Sequence, residues 1–448
     1  MNPAFGITPI RDMTKIFVDK SWELCDIVRT LIPLQRQQAQ QSHTEIQQAE
    51  KLGGDADDDD WTVIDLSPWL GRAAVDMMSL ACFHYPLDSL NAGLLKVQAG
   101  GVAGAGSGQG DEGDELYPAL EELFGVAKLN FPLLYWKSWI PLLRLWTFDQ
   151  SARKVNHFHS VVRTLSKKMI REREKEIREG ILDEKARDLL TLLVKAKMEK
   201  DNKSKMMSQN EIYEQISSFF VAGHEASAAA VVWGLHSFSH DLGIQNRLRE
   251  ELDSLETDRP TMEELNSLPY LDLVVKETLR LHSPGAWIER EATIDDVIPF
   301  EKPFEDRHGN VRQQIAINKG DQIRISIRSI NCQEEVWGPD AREFNPERWR
   351  DPPKAAATMP GVIGNQISFS AGPKGCIGFR FGTIEMKAMI FTLIRTFEFE
   401  PAVPKETVLR RSLAVSRPVL KGQIHVGSQL PIRVRVRQMG GGGGEGNY

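Results

Sequence analysis

The chain has 448 residues, a formal net charge of −7 at pH 7 and a pI near 5.9. An acidic chain lacks the basic surface that phosphate groups require, so we expect no nucleic-acid partner. The four cysteines include no C-x-x-C pair, which argues against a disulfide framework and a structural zinc site and favours a reducing compartment. No run of about 18 uninterrupted apolar residues occurs, so the sequence predicts no membrane-spanning helix.

Helical periodicity dominates the first half of the chain. Apolar residues between Ile10 and Leu31 recur at helical spacing and predict a long amphipathic helix reaching toward Gln48. An acidic loop over residues 55–60 precedes a second predicted helix over residues 63–83, which is apolar on most faces. Two further helices with many charged residues are predicted over residues 148–180 and 188–198.

Two segments interrupt these helices. Residues 99–113 are rich in Gly and Ser, and we expect a flexible loop without function. Residues 129–146 are rich in Trp and Leu but contain prolines at 132 and 141. Such a segment either contacts a membrane surface, covers an access channel, or is an ordinary core connection between helices. The sequence leaves these alternatives open.

A helix that carries candidate chemistry begins after Ser208. Ser208 and Glu211 form a capping box, which predicts a helix running to about His240. Gly223 inside it costs about 1 kcal/mol relative to Ala, so we expect a close backbone approach or a widened turn there. Glu225 lies among small and apolar residues, and an unpaired buried carboxylate is a candidate for proton delivery. The alternative is a kinked core helix whose Glu is satisfied.

Charged residues further along the chain form a second pattern. Glu277 and Arg280 lie three residues apart on a predicted helix, a spacing that supports an ion pair. Arg348 follows in a proline-bounded stretch. We interpret these three residues as structural rather than catalytic, because a buried network of this kind persists only when it is fully hydrogen-bonded. Strands are predicted over residues 315–317, 322–327 and 432–437.

The third pattern is a glycine-punctuated loop over residues 369–378 that delivers Cys376 to the start of an apolar helix ending near Thr396. A cysteine at a helix N-terminus is predicted to have a lowered pKa and to ligate a metal as the thiolate. Phe369 would shield the sulfur from water. The alternative is a small buried residue without a metal.

Glycines shape this loop. Gly372 and Gly375 suit backbone conformations with positive φ, and Gly378 removes a Cβ where a flat cofactor could approach.

The cysteine loop resembles the haem-ligand loop of the cytochrome P450 family. The helix around Gly223, the Glu277/Arg280 pair and Arg348 occur in that family's order, and the resemblance is most specific over residues 208–422. It implies a mainly α fold with a small β portion. It also implies one haem-thiolate domain over residues 1–439, followed by a disordered Gly-rich tail over residues 440–448.

The resemblance assigns roles to residues of this chain. Cys376 is the expected iron ligand of haem b, and Lys374 and Arg290 are the expected partners of the haem propionates. Glu277, Arg280 and Arg348 are expected to fix the cysteine loop. The other expected cofactor and oxygen-site residues are Phe369, Gly372, Gly378, Ala222, Gly223, Glu225, Ala226 and Ser227.

One residue departs from the family pattern. Ala226 occupies the position where the family usually has the threonine that hydrogen-bonds bound oxygen. Ser227 is one residue further on, and we expect it to substitute only if the helix is locally rotated by roughly 100°. A substrate hydroxyl or a water molecule is the alternative. The departure leaves open a haem-thiolate isomerase or dehydratase that does not use O2.

The implied activity is insertion of one oxygen atom into a small apolar substrate, with electrons from an NADPH-cytochrome P450 reductase. The resemblance is greatest to fungal microsomal enzymes of secondary metabolism. It implies a location at the cytoplasmic face of the endoplasmic reticulum membrane. Residues 1–6 resemble a point inside the family's third major helix. We therefore expect the chain to lack the membrane anchor, the first helices and most of the first sheet. This expectation leaves open a cytoplasmic location, or an inactive fragment with impaired haem binding.

Overall fold

The computed structural model describes residues 2–46, 60–101, 112–129, 150–181, 188–198, 207–412 and 415–438. These residues form a mainly helical structure with a small β portion, as predicted. The acidic loop, the Gly/Ser-rich loop and the apolar segment over residues 129–146 lie largely outside the described residues, and the tail over residues 440–448 lies wholly outside them.

The α-helices are α1 (Ile7–Ile46), α2 (Ser67–Phe83), α3 (Ser89–Gln98), α4 (Glu112–Leu129), α5 (Gln150–Arg178), α6 (Leu189–Met198), α7 (Gln209–Ser239), α8 (Leu242–Asp253), α9 (Met262–Asn266), α10 (Pro269–Leu281), α11 (Ile327–Asn331), α12 (Glu334–Trp337) and α13 (Phe379–Thr396). The strands are β1 (Thr62–Asp65), β2 (Trp287–Glu291), β3 (Asp296–Glu305), β4 (Val311–Ile317), β5 (Gln322–Ser326), β6 (Phe397–Pro401), β7 (Val408–Ser412), β8 (Ser416–Leu420) and β9 (Pro431–Val436).

The first helix confirms the amphipathic prediction. Ile10, Phe17, Leu24 and Leu31 are spaced by seven residues, or about two turns, and all are fully buried. This apolar face packs against α13, where the Phe17 ring meets the Phe381 ring edge-on at 4.8 Å between centroids. The helix that follows the cysteine loop is therefore held from one side by α1.

The predicted start of the second helix, at residue 63, is wrong. Residues 62–65 form β1, which pairs antiparallel with β9. The side chain of Val63 is 52% exposed while that of Ile64 is 1% exposed, which is the two-residue alternation of a strand. Three β-branched residues in a row favour this conformation. Pro68 then lies in the first turn of α2, where its missing N–H costs no hydrogen bond.

Helix α7 lies at the centre of the molecule. Its predicted capping box is present: the Glu211 amide donates to Ser208 Oγ at 3.2 Å, and the Ser208 amide donates to Glu211 Oε2 at 2.7 Å. The helix packs against α2, α5 and α13. The close approach predicted at Gly223 is made by α2, because a Cβ there would collide with the Met78 methyl group. Gly223 is therefore explained by packing, because only a residue without a Cβ leaves space for α2 at this point.

The β portion consists of small antiparallel sheets around the helices. One sheet has the order β1-β9-β6, and three hairpin-like pairs join β2 with β5, β3 with β4 and β7 with β8. The strands predicted over residues 315–317, 322–327 and 432–437 correspond to β4, β5 and β9, although Ile327 already belongs to α11. The pair β2–β5 follows α10 and lies beside the cavity described below.

Candidate active site

The cysteine loop folds back on itself before α13. The Cys376 amide donates to the Phe369 carbonyl oxygen at 2.8 Å. Positive φ occurs at Gly372 (+67°), as predicted, and also at Ser370 (+61°). The prediction for Gly375 is wrong, because its φ is −57°. Left-handed backbone at a non-glycine residue carries strain, and such strain is often found at functional sites.

Cys376 is an exposed residue three positions before the first residue of α13. The Gly378 amide donates a hydrogen bond to its sulfur, and a Cβ on Gly378 would lie 3.9 Å from that sulfur. Partial burial raises the pKa of the Cys376 thiol, and the Gly378 hydrogen bond offsets only part of this rise. The predicted lowering of this pKa by the helix N-terminus is therefore wrong in sign, because desolvation outweighs it.

A cavity of about 450 Å³ opens over the sulfur. Its walls come from α7, α10, β2, α11, the cysteine loop and α13. The apolar part of the lining consists of Leu279, Ile288, Ile327, Phe369 and Met386. The cavity therefore combines a soft metal ligand with walls that suit a large apolar ring system.

Two cations line the same cavity. Arg290 on β2 and Lys374 in the loop are both exposed at its lining. The Arg290 guanidinium donates to the Glu289 carbonyl oxygen at 2.8 Å, and neither cation pairs with a carboxylate among the described residues. One thiol, apolar walls and two cations without anionic partners form the donor set that a haem with two propionates requires. The residues present fit this cofactor.

The central helix contributes Ala226 and Ser227 to the cavity wall. A Cβ on Gly382 would lie 3.3 Å from Ser227 Oγ and 3.9 Å from the Phe369 ring, so the serine hydroxyl lies against α13. Ser227 reaches the wall from a continuous α-helix, and its substitution for the threonine stays a prediction.

Two predicted residues of this helix lie elsewhere. Gly223 packs against α2, as described above, and does not line the cavity. Ala222 is exposed one turn before Ala226 on the same helix face, outside the lining. Gly372 is also exposed and serves the turn rather than the cavity.

Glu225 is paired, which makes its interpretation as an unpaired carboxylate wrong. Its Oε1 accepts a hydrogen bond from Arg417 Nε, and Arg417 Nη1 also contacts Glu121 Oε2 at 3.0 Å. Glu225 is 4% exposed and lines a different cavity, of about 800 Å³. Adjacent residues of a helix point about 100° apart, so Glu225 and Ala226 face different spaces. Sequence reasoning missed Arg417, since nothing local links positions so far apart.

The structure brings the three charged residues of the predicted network together. Glu277 and Arg280 are fully buried, and two hydrogen bonds of 2.8 Å join them in a bidentate pair. Arg348 Nε lies 3.4 Å from Glu277 Oε1. Asp340, which the sequence reasoning did not identify, receives two further hydrogen bonds from Arg348 at 2.9 and 2.8 Å. The ion pair survives burial because its remaining donors and acceptors are also satisfied.

This network reaches the cysteine loop through Asn331. Arg280 Nη1 donates to the Asn331 carbonyl oxygen at 2.8 Å. The Asn331 side chain donates to Ser368 Oγ at 2.8 Å and accepts from the Ile367 amide at 3.1 Å. Ser368 in turn donates to the Leu279 carbonyl oxygen at 2.7 Å. The residues directly before Phe369 are therefore anchored to α10.

Among the described residues, no helix is both long and apolar enough to cross a membrane.

Comparisons with known proteins agree with this geometry. The cytochrome P450 family profile matches residues 25–426. The chain is 39% identical to cytochrome P450 monooxygenase 205 of Postia placenta, with 97% of this chain and 74% of that protein aligned. It is 31% identical to the monooxygenase claP of Ampulloclitocybe clavipes over the same shares.

A solved structure gives the fold. The crystal structure of a cytochrome P450 (CYP102L1) superposes with a TM-score of 0.64 at 20% identity, covering 97% of this chain and 77% of that one. The profile match, the fungal relatives and the cysteine cavity lead to one conclusion. The chain belongs to the cytochrome P450 family, as a fungal-type monooxygenase and thus an oxidoreductase.

Proposed function

We propose that this chain binds haem b with Cys376 as the iron ligand and inserts one atom of O2 into a small apolar substrate. The observation that carries the proposal is that the Cys376 sulfur shares one cavity with Arg290 and Lys374. A bound haem would supply oxygen activation, favoured by electron donation from the thiolate. The protein residues would hold the cofactor, exclude water and supply protons.

Each residue of the cavity has a role in this proposal. Arg290 binds one propionate through its planar guanidinium, and Lys374 binds the other as a point charge, which makes that contact less rigid. Phe369 covers the sulfur, and the Gly378 amide holds it by a hydrogen bond. The small side chain of Ala226 leaves space for O2 and substrate on the opposite wall.

Electrons would come from an NADPH-cytochrome P450 reductase at the cytoplasmic face of the endoplasmic reticulum. The resemblance to fungal monooxygenases supports this partner and this location, and suggests a role in secondary metabolism. Fractionation of fungal cells that express the tagged chain tests the location, since the proposal requires the protein to co-sediment with the reductase.

A second candidate is a haem-thiolate isomerase or dehydratase, which Ala226 favours because the family's usual oxygen-binding hydroxyl is missing there. The haem-loaded chain, the reductase and a panel of apolar substrates separate the two. A monooxygenase consumes NADPH and O2 only with both the reductase and Cys376 present, and forms product that carries label from ¹⁸O2. Product formation without O2 uptake would identify the isomerase or dehydratase instead.

A further inference from the structure

We propose that the cavity lined by Glu225 is a second binding site, which takes an apolar molecule that carries a hydroxyl group. This cavity has a volume of about 800 Å³, and the described residues that line it are all different from those that line the cavity over Cys376. Oxygen insertion into a C–H bond yields molecules of the proposed ligand class, but the site and its test depend neither on bound haem nor on turnover.

Helices and strands enclose this second cavity on several sides. Its lining comes mainly from α2, α4, α7, the hairpin of β7 and β8, and the loop between β8 and β9. Apolar groups are spread over this wall, and they include Pro68, Tyr117, Val232, Ile424 and Val426. Pockets for small organic ligands are typically about 300–1,000 Å³ in volume and mostly apolar, with a few polar groups that fix the orientation of the ligand. The size and the walls of the cavity therefore suit a molecule with an apolar skeleton.

Four residues of this lining each have a buried polar atom without a hydrogen-bond partner among the described residues. These atoms are Ser67 Oγ, His224 Nε2, Glu225 Oε2 and Gln429 Nε2. His224 and Glu225 are only 1% and 4% exposed, so the unpartnered atoms carry the full cost of desolvation. Other unpartnered atoms, such as the carboxyl oxygens of the fully buried Glu385 on α13, belong to residues outside this lining. The concentration of four such atoms around one cavity points to a ligand that pairs with them.

The two unpartnered atoms on α7 are both hydrogen-bond acceptors. His224 Nδ1 lies 2.6 Å from the Phe220 carbonyl oxygen, which can only accept, so the ring proton is on Nδ1 and Nε2 has a free lone pair. Burial lowers the pKa of His224 to about 4, and the ring is therefore neutral at pH 7. Glu225 Oε2 belongs to a carboxylate whose other oxygen is bound by Arg417. A ligand that pairs with either atom must donate a hydrogen bond.

The donors of the lining complete the match. The Gln429 amide donates hydrogen bonds, and the Ser67 hydroxyl can donate or accept one. A ligand hydroxyl donates through its proton and accepts through its oxygen, so it can pair with an acceptor on α7 and with one of these donors. A ketone accepts but cannot donate, and it therefore leaves the acceptors of His224 and Glu225 unpaired. Of these two neutral groups, the hydroxyl is the one that fits the site.

The charged groups of the lining nearly cancel, which disfavours a charged ligand. The cavity is lined by three cations, Lys154, Arg411 and Arg417, and by four carboxylates, those of Asp65, Glu121, Glu122 and Glu225. Arg417 is shared, since it contacts Glu225 and also contacts Glu121 at 3.0 Å. A ligand with a net charge of either sign would meet like charges and lose its hydration shell. A neutral ligand avoids this cost.

Two probes that share one carbon skeleton test the proposal. 4-Cyclohexylcyclohexanol donates and accepts a hydrogen bond, whereas 4-cyclohexylcyclohexanone only accepts. Equilibrium dialysis of the purified chain, with whatever haem it carries, against each probe gives the two dissociation constants. The alcohol should bind at least about tenfold more tightly, because the ketone leaves buried acceptors unpaired. Equal affinities for the two probes, or binding of neither, would overturn the proposal.

Variants of the lining test whether its polar groups hold the probe. His224→Phe removes an acceptor and should weaken alcohol binding about tenfold without a change in ketone binding, whereas Gln429→Leu removes a donor and should weaken the binding of both probes. His240→Phe is the matched control, because His240 lies outside both linings. If His224→Phe does not fold, Gln429→Leu decides, and unchanged alcohol binding in it would contradict the proposal.

A substitution in the other cavity tests the location. Ile288→Trp fills part of the cavity over Cys376, and Ile288 does not line the second cavity. Alcohol binding in this variant should stay within about twofold of the wild type, because the two sites share no lining residue. Loss of alcohol binding in Ile288→Trp together with normal binding in His224→Phe would place the probe over the sulfur and refute the second site.

Discussion

Glu225 and Arg417 form a largely buried ion pair beside α7, and Glu225 faces a different cavity from the one that Ala226 lines. Arg417 belongs to β8, so this pair ties the central helix to a hairpin near the C-terminus. Its guanidinium also lies over the Phe124 ring at 5.0 Å and contacts Glu121 of α4. The residue that sequence reasoning chose for proton delivery is thus part of a three-element junction.

Removal of Arg417 tests this assignment. Arg417→Ala leaves the Glu225 carboxylate buried without its cation, and we expect a loss of about 3–5 kcal/mol in the free energy of unfolding. Arg324→Ala is the matched control, because it breaks an exposed pair with Glu289 and should cost at most about 1 kcal/mol. Urea denaturation followed by circular dichroism measures both. Equal losses for the two variants would mean that the Glu225 pair is not structural.

The Glu277–Arg280 pair gives a second stability prediction. Arg280→Ala removes the bidentate bonds and three hydrogen bonds to backbone carbonyl oxygens, and should cost about 3–5 kcal/mol or more. Arg350→Ala breaks an exposed pair with Glu347 at the same i, i+3 spacing and should cost less than about 1 kcal/mol.

The same variants report on the cysteine loop. Arg280→Ala should also reduce haem retention, because Asn331 and the residues before Phe369 lose their anchor on α10. Haem content per chain after gel filtration measures this effect. Full haem retention together with a large loss of stability would show that the network supports the fold but not the loop.

The effect of Gly223→Ala on the free energy of unfolding should depend on the side chain at position 78. Alanine in a helix interior normally stabilises by about 0.5–1 kcal/mol relative to glycine. Gly223→Ala should instead destabilise by about 1–3 kcal/mol, because the new methyl group collides with Met78. In a Met78→Ala background the same change should become neutral or stabilising. A double-mutant cycle of unfolding free energies measures the coupling, and additive effects would contradict the packing account.

The pH dependence of stability tests the state of Glu385. Its pKa rises from 4.5 in the unfolded chain to about 8 in the folded chain, so the folded state binds more protons between these values. The stabilising contribution is therefore complete below pH 4.5 and is lost as the pH rises through 8. The free energy of unfolding, measured by urea denaturation, should decrease between pH 5.5 and pH 8 by more in the wild type than in Glu385→Gln. Equal decreases would mean that Glu385 is ionised at both pH values.

Much of the fold followed from patterns that are local in sequence. The seven-residue spacing from Ile10 to Leu31, the capping box at Ser208 and the helix that follows the cysteine loop and ends at Thr396 each depend on near neighbours, and each is confirmed. The predicted start of the second helix was wrong because the conformation of residues 62–65 is determined by pairing with β9, which lies at the other end of the chain.

The candidate site likewise has a part that was predictable from the sequence and a part that was not. The residue types for a thiolate ligand and its cations are visible in sequence, and their order pointed to the family. The partners of Glu225 and the isolation of Glu385 are long-range properties. Arg417 becomes a partner only when β8 packs beside α7, and the pKa of Glu385 depends on desolvation by several helices. Such shifts arise from tertiary packing, which residue spacing does not encode.

The reduced carbon monoxide difference spectrum of the haem-reconstituted chain tests the central claim, that Cys376 ligates haem iron. We predict a band at the position of thiolate-ligated haem in the wild type. We also predict its loss in Cys376→Ala but not in Cys332→Ala, which removes a cysteine that does not line the Cys376 cavity. A wild-type spectrum without this band, or one that Cys376→Ala leaves unchanged, would contradict the assignment of the cavity.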